Sequence, residues 1–411
     1  MDVIRYPREV AKAKNLIERK TPNSSKVSSV VGEILDNVSK NGNPALFNYT
    51  KKFDNFNLTK KNLRVSKAEI KNAYKKADKN LIKALKHACK NIKKFHSEQF
   101  KKINKKWNVK IDDGIVIGEK ISAIDSVGCY IPGGRASYPS TVLMTCVPAK
   151  VAGVGRVVIA SPPPISDAIL VAAEICGVDE IYRVGGAQAI ASLAYGTETI
   201  KKVSKIIGPG NKYVMAAKNS VYGVVDVDMP AGPSEILIIA DESANPKFIR
   251  ADLLAQAEHD PDARCVLVTN SPKLPKKIKI KNKKNIACVL VKNLNDAVKF
   301  ANEYAPEHLE ILTKNPEKIE GKIKNAGAIF IGSYAPVAAG DYCSGGNHVL
   351  PTSGAAKFAS QLSVRDFIKS SSVQKIDKKG LEKLRETIEK LADAEGLKEH
   401  KKSVSVRFFD D

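Results

Sequence analysis

Residues 340–352 read Gly-Asp-Tyr-Cys-Ser-Gly-Gly-Asn-His-Val-Leu-Pro-Thr. An acid (Asp341), an amide (Asn347), an imidazole (His348) and several glycines make this stretch too polar for core. It reads as a loop that holds a ligand. Four of the six histidines fall in the second half of the chain: His259, His308, His348 and His400. Each stands beside a carboxylate or an amide, which is the pattern of an enzyme site.

Gln256-Ala257-Glu258-His259 places an amide and an imidazole three apart, on one helical face. Both are able to ligate a divalent metal, and Asp341 is a candidate carboxylate ligand; zinc accepts such nitrogen and oxygen donors. The competing reading is a polar helix end capped by histidine. In Pro306-Glu307-His308-Leu309-Glu310 an adjacent acid and imidazole, read as a turn, would divide acid and base roles. The alternative is an exposed helix start with an acidic first turn. Glu395 and His400 stand on a C-terminal segment that reads equally as a charged surface helix.

Two glycine-rich turns are suited to anionic groups. Gly185-Gly186-Ala187-Gln188 and Gly208-Pro209-Gly210-Asn211 each follow a strand pattern and open a helix, where backbone N–H groups are free. Neither matches GxGxxG, and GxxxxGK[ST] is absent, so these turns alone leave the cofactor open. Tyr130-Ile131-Pro132-Gly133-Gly134 is a third such loop, with a ring placed to stack.

The elements that position these residues alternate. Residues 28–38 and 67–95 carry apolar side chains at helical spacing, and His87 and His96 on the latter read as surface residues. Residues 107–117 suggest a short strand. Strands are expected at 156–160, 180–184, 235–240, 264–269 and 328–331. Helices between them are marked by Ser166, by Gly177 and by Asn245-Pro246. This β/α alternation implies parallel sheet covered by helices. From about residue 364 the pattern is mostly helical, with Leu381, Leu384, Ile388 and Leu391 on one face.

At 411 residues the chain should form two or three units, and 43% hydrophobic content suits a sizeable core. No apolar run approaches the roughly 20 residues of a membrane helix. The opening MDVIRYPREVAKAKN has no apolar segment of the secretory kind, so a cytoplasmic protein is expected. Seven widely spaced cysteines without CxxC disfavour a disulfide framework or a thiolate zinc finger. The net charge of +23 raises nucleic acid as a partner, yet only twelve of the 67 basic residues are arginine. The lysines, among them Lys276, Lys277, Lys279, Lys281, Lys283 and Lys284, lack interleaved aromatic rings. A solvated lysine surface that attracts anionic cofactors is the preferred reading, with neither nucleic acid nor membrane as partner.

In their order the motifs resemble the histidinol dehydrogenases over nearly the whole chain. The resemblance runs through residues 45–54, 91–96 and 128–134, GGAQAIASLAYGT from Gly185, GPGNKYV from Gly208, Asp228 and AGPSEI from Ala231. It continues through LLAQAEHDPDA from Leu253, YAPEHLEI from Tyr304, GDYCSGGNHVLPT, and 394–397 with His400. Such a family member would oxidise L-histidinol to L-histidine through the aldehyde, the last step of histidine biosynthesis, using two NAD and one water. The resemblance implies one zinc per subunit, held by Gln256, His259, Asp341 and His400. It implies Glu307 and His308 as the catalytic pair. Ser234, His348 and Glu395 would bind substrate, together with the zinc ligands and His308. Tyr130, Gln188 and Asn211 would contact NAD. It further implies a homodimer with a shared active site, His400 reaching into the partner.

The expected fold is α/β, with two incomplete Rossmann-like, doubly wound domains. Residues 26–128 and 235–365 would form the first, and 129–234 the inserted NAD-binding one. A helical arm (1–25) and a helical dimerisation tail (366–411) would complete it. Rival readings are a zinc hydrolase, disfavoured by the missing HExxH; an aldehyde dehydrogenase with Cys129 or Cys343 as nucleophile; a lysine-driven nucleic-acid binder; and a paralogue acting on another amino alcohol.

Overall fold

The computed structural model describes residues 2–19, 25–133, 137–229, 232–280 and 284–408. Gly134, Ala231, Lys281 and Lys283, which figured in the motifs above, lie outside these. Strand β1 is Asp2–Arg5. Strands β2 (Lys106–Asp112) and β3 (Ile115–Ala123) form a hairpin. Strands β4 (Ser126–Tyr130), β5 (Arg156–Ser161), β6 (Glu180–Arg183), β7 (Lys205–Ile207) and β8 (Asp226–Val227) follow. Then come β9 (Glu235–Ala240), β10 (Arg264–Thr269), β11 (Ile286–Leu290), β12 (His308–Leu312), β13 (Ala328–Ile331) and β14 (Ile368–Ile376).

Two parallel sheets result, in the orders β1-β11-β10-β9-β12-β13 and β6-β5-β4-β7-β8. Leaving β1 aside, both show the same doubly wound half: three strands run one way from the first, then two the other. The switch points fall between β9 and β12 and between β4 and β7. The sequence between β1 and β9 carries the five-stranded sheet, so that sheet is inserted in the six-stranded one. The central strands are apolar on both faces: all of Glu235–Ala240 is buried, as helices on both sides require. Ser166 caps the helix Asp167–Cys176 by accepting from Ile169 N, and Gly177 ends it in the left-handed conformation. Asn245 caps Pro246–Ala257.

Four expectations need correction. The arm is not only helical, because β1 pairs in parallel with β11 at the edge of the first sheet. Residues 31–65, expected with the first domain, pack on the inserted sheet. Val31, Ile34, Leu35, Val38 and Leu46 share a core with Val158, Ala160, Tyr182 and Leu193. Their apolar stripe covers a face that the sheet's own helices leave open, and Val65 N donates to Ile181 O beyond edge strand β6. The tail opens with a strand, not a helix: Ile368–Ile376 pairs antiparallel with β3. Its Lys-Ser-Ser-Ser-Val-Gln run has no 3.6-residue apolar period. Finally, His96 is fully buried, its Nδ1 2.7 Å from Gln99 Oε1, although the helix that carries it is lysine-rich.

The described residues among 1–100 and 124–367 form one unit; those among 101–123 and 368–411 form a second. The second holds the sheet β14-β3-β2 and the helices Lys378–Ala394 and Lys398–Ser405. Among the described residues no helix is long and apolar enough to cross a membrane.

Candidate active site

Glu307 and His308 do not lie in an exposed turn. Strand β12 begins at His308, beside β9 in the centre of the six-stranded sheet, with His308 level with Ile236. Both side chains are buried. One residue holds them through its two backbone groups: Glu235 N donates to Glu307 Oε2 (2.7 Å), and Glu235 O lies 2.9 Å from His308 Nδ1. A carbonyl only accepts, so Nδ1 carries a proton in either charge state, and in the neutral ring it is Nε2 that presents its lone pair. Asp341 Oδ1 stands 3.6 Å from that Nε2, and Glu307 Oε2 3.6 Å from Nδ1. At these distances the contacts are electrostatic rather than hydrogen bonds.

Burial pushes the Glu307 carboxyl up to about 7, partly offset by His308. Burial acts on His308 in the opposite sense, favouring the neutral ring, but Glu307 and Asp341 outweigh it and raise its pKa to about 9. Burial also opposes ionisation of Asp341, yet the facing His308, with His348 and His259 further off, keeps it below the usual carboxylate range. Near neutrality His308 is therefore mostly the cation and Glu307 about half ionised, beside a carboxylate that stays ionised, and His308 becomes a base as the pH approaches 9.

The helix Val337–Tyr342 carries Asp341, and Glu310 of β12 anchors its start by accepting from Val337 N (2.9 Å). The loop that follows is fixed to the helix Pro139–Ala152. Asn347 Nδ2 donates to Met144 O (2.7 Å), and His348 Nε2 lies 3.3 Å from Thr141 Oγ1. His348 Nδ1 meets Asp341 O at 2.9 Å, and burial keeps this ring neutral to lower pH than usual.

The fit to a metal can be tested on these side chains. Gln256 is buried, and among the described residues its Oε1 finds no hydrogen-bond partner. An orphaned buried oxygen of this kind asks for an ion or a ligand. His259, just past the end of the same helix, ties Nδ1 to Ala255 O at 3.1 Å, which leaves Nε2 to face a ligand. With ionised Asp341 these donors suit zinc. Among the described residues no group of three His, Cys, Asp or Glu converges as a metal site by itself. His400 belongs to the second unit. Glu395 and His400 are exposed there. Ser234 lies just before β9 and is half-buried.

The other glycine-rich turns gather at the carboxyl ends of β4, β6 and β7, where doubly wound sheets take ligands. Tyr130 ends β4, but its ring is buried rather than free to stack, and its hydroxyl accepts from Gly186 N (3.1 Å). Gln188 is buried on the helix Gly186–Tyr195. Asn211 caps Lys212–Val221, accepting from Tyr213 N and Val214 N. Of the cysteines considered as nucleophiles, Cys129 is fully buried in β4 and burial raises its thiol far above the reactive range. Cys343 is exposed.

The sequence did not single out Glu235, Arg19, Glu310 or Thr141. The available signal was a carboxylate inside an otherwise apolar strand, Glu235 in EILIIA and Glu310 in HLEIL. Arg19 Nε pairs with Glu235 Oε1 at 2.8 Å, both buried, with the guanidinium 3.8 Å over the Tyr304 ring. Arg19→Met strands the Glu235 charge and should cost about 3–5 kcal/mol in urea unfolding. A loss below about 1 kcal/mol would mean that the pair holds nothing.

Glu310 bears on stability differently. Burial, then the neighbouring Asp252, lift its carboxyl to about 8, so the folded state keeps a proton that the unfolded chain releases near 4.5. This contribution is complete below the unfolded value and fades as pH rises through about 8. Glu310→Gln, which keeps the acceptor for Val337 N, should flatten the fall in Tm between pH 6 and 9. An unchanged slope would refute the assignment.

A family model described as histidinol dehydrogenase matches residues 17–408. The chain is 49% identical to histidinol dehydrogenase of Clostridium acetobutylicum, over 96% of this chain and 95% of that one. It is 48% identical to the enzyme of Methanococcus maripaludis, over 95% and 96%. The crystal structure of histidinol dehydrogenase from Elizabethkingia anophelis superposes with a TM-score of 0.91 at 39% identity, covering 99% of this chain and 98% of that one. Similarity of this extent, in sequence and in fold, places the chain in the histidinol dehydrogenase family of oxidoreductases, which serves histidine biosynthesis.

Proposed function

We propose that this chain oxidises L-histidinol to L-histidine in two NAD-dependent steps, with Glu307 and His308 handling protons and Gln256, His259, Asp341 and His400 holding zinc. The observation that carries this reading is the Glu307–His308–Asp341 constellation, its acid–base pair buried and tied to Glu235, together with a Gln256 amide oxygen that has no partner among the described residues. When bound, zinc supplies a Lewis acid that orients the substrate's nitrogens, and NAD accepts hydride.

The chain's own residues do the rest. In its neutral form, which gains ground as the pH rises toward about 9, His308 takes the hydroxyl proton at Nε2 as the alcohol becomes aldehyde. Its Nδ1–H, fixed on Glu235 O, keeps the ring in the tautomer that offers Nε2. The flanking carboxylates stabilise the imidazolium so formed. In the second step Glu307, ionised near and above pH 7, draws a proton from the water that hydrates the aldehyde, and His308 again accepts one. His348, Ser234 and Glu395 line the substrate, while Tyr130, Gln188 and Asn211 belong to the NAD side.

We place His400 in the partner's site within a homodimer. The second unit supports an association: Trp107, Val109, Ile111, Val373, Leu391, Leu397 and Val406 are large apolar side chains left exposed on it. A cytoplasmic setting fits seven cysteines that are all free thiols.

Metal analysis tests the ligand set without reference to turnover. The purified protein should hold one zinc per chain, and Gln256→Ala and His259→Asn should each lower its retention against a chelator by roughly 10–100-fold. Zinc held equally well by both variants would contradict the assignment.

A further inference from the structure

A buried ion pair lies beneath the Gly208–Asn211 turn and has no part in the proton chemistry above. Lys218 and Asp228 are paired with both side chains almost wholly buried. Each also holds the same residue: Lys218 Nζ donates to Gly208 O (2.9 Å), and Gly208 N donates to Asp228 Oδ2 (2.7 Å). Both backbone polar groups of Gly208 are thus satisfied by side chains, just where β7 ends and the sheet ladder stops.

The turn has little other freedom. Gly208 has φ +113°, and a Cβ there would run into the Tyr130 carbonyl oxygen at the end of β4. Three residues on, Asn211 caps the helix Lys212–Val221, and Lys218 reaches back from that same helix to Gly208. Asp228 lies just past β8, and its own N–H donates to Ile206 O at 3.3 Å. Strand, turn, helix and the next strand are therefore closed into a ring by two charged side chains.

We infer that the Lys218–Asp228 pair is a positioning device for the cofactor, setting the Gly208–Asn211 turn so that NAD docks at the β4/β7 switch point. The inference rests on the proposal that this turn receives NAD. Burying two charges costs several kcal/mol, and the pair offsets this only through close geometry and added hydrogen bonds, which Gly208 supplies. Lys218 spends its ammonium on Asp228 and on Gly208 O and faces no solvent. It therefore acts through the backbone and not as a cation on the cofactor phosphates. Asn211 already takes the Tyr213 and Val214 N–H groups, so what the ring holds in place for the cofactor is the turn itself and the Lys212 N–H at the helix start.

The test uses the full-length, zinc-loaded protein and NADH as probe, with binding followed by fluorescence. Lys218→Met/Asp228→Asn removes both charges and strands neither. It should weaken NADH and raise KM for NAD by about tenfold or more, with KM for L-histidinol changed less than about twofold. Because the pair is neutral as a whole and shielded from solvent, the salt dependence of NADH binding should keep its slope. If the double variant does not fold, Lys218→Gln/Asp228→Asn, which strands no charge and keeps a donor for Gly208 O and an acceptor for Gly208 N, should give the same bias, of smaller size.

Asn211→Ala separates the two possible failures. If it weakens NADH while the pair variants do not, the positioning role is overturned and the cofactor site stands. If neither it nor the pair variants affect NADH, the turn is not the cofactor site and both ideas fall. Equal increases in KM for both substrates would show a merely structural pair. In the unaltered protein NADH should slow hydrogen exchange across residues 205–214; no slowing would overturn the inference even if every variant misfolded.

Discussion

His308→Asn should lower the oxidation of L-histidinol by roughly 10²–10⁴-fold in kcat, with KM for NAD little changed. Asparagine is the instructive replacement. Its amide N–H can still meet the Glu235 carbonyl, so β12 and its register with β9 should survive. What is lost is a group that accepts a proton and then rests as a cation between Glu307 and Asp341. The same variant should be impaired in oxidising histidinaldehyde, because the ring serves in both steps. Pre-steady-state NADH formation from each substrate measures this. Alcohol oxidation at more than a tenth of the parent rate would remove His308 from the chemistry.

Glu307→Gln should separate the two steps. The amide oxygen still accepts from Glu235 N, so the fold around the Glu235 peptide should persist. An amide cannot take a proton from water, so aldehyde oxidation should fall by roughly 10²–10³-fold, while alcohol oxidation falls about tenfold or less. The smaller loss is expected because His308 loses one of the two carboxylates that stabilise its cation. The aldehyde would then accumulate, and a trapping amine would report it. Equal loss in both steps would end the division of labour between the two residues.

Much of this arrangement was legible in the sequence, for local reasons. Ser166, Asn211 and Asn245 cap the helices that their types and places announce, and the short apolar runs at 156–160, 235–240 and 264–269 are strands. The motif resemblance identified the family, and the comparisons agree with it. What escaped is set by contacts distant in sequence. His308 in Pro-Glu-His-Leu-Glu reads as a turn or helix start because acidic and imidazole side chains rarely begin a central strand. Here Glu235, 73 residues away, supplies both the N–H and the C=O that make their burial tolerable.

His96 reads as surface because its helix is lysine-rich, yet it points inward from that amphipathic helix and is satisfied by Gln99 one turn on. Lys218 looks like any of the chain's many lysines; only Asp228 and Gly208, ten residues away on either side, set it apart. Residues 31–65 were assigned to the wrong sheet because an apolar stripe shows that a helix is covered, not by what.

The central claim is that one chain, with one buried acid–base pair, carries a four-electron oxidation. The direct measurement is the number of NADH formed per L-histidinol by the purified protein with NAD in excess, repeated after chelation and after zinc is returned. The account predicts two NADH for each histidinol consumed, L-histidine as the product, loss on chelation and recovery with zinc. No NADH from histidinol, with the protein folded and zinc-loaded, or a product that stops at one NADH and the aldehyde, would contradict it.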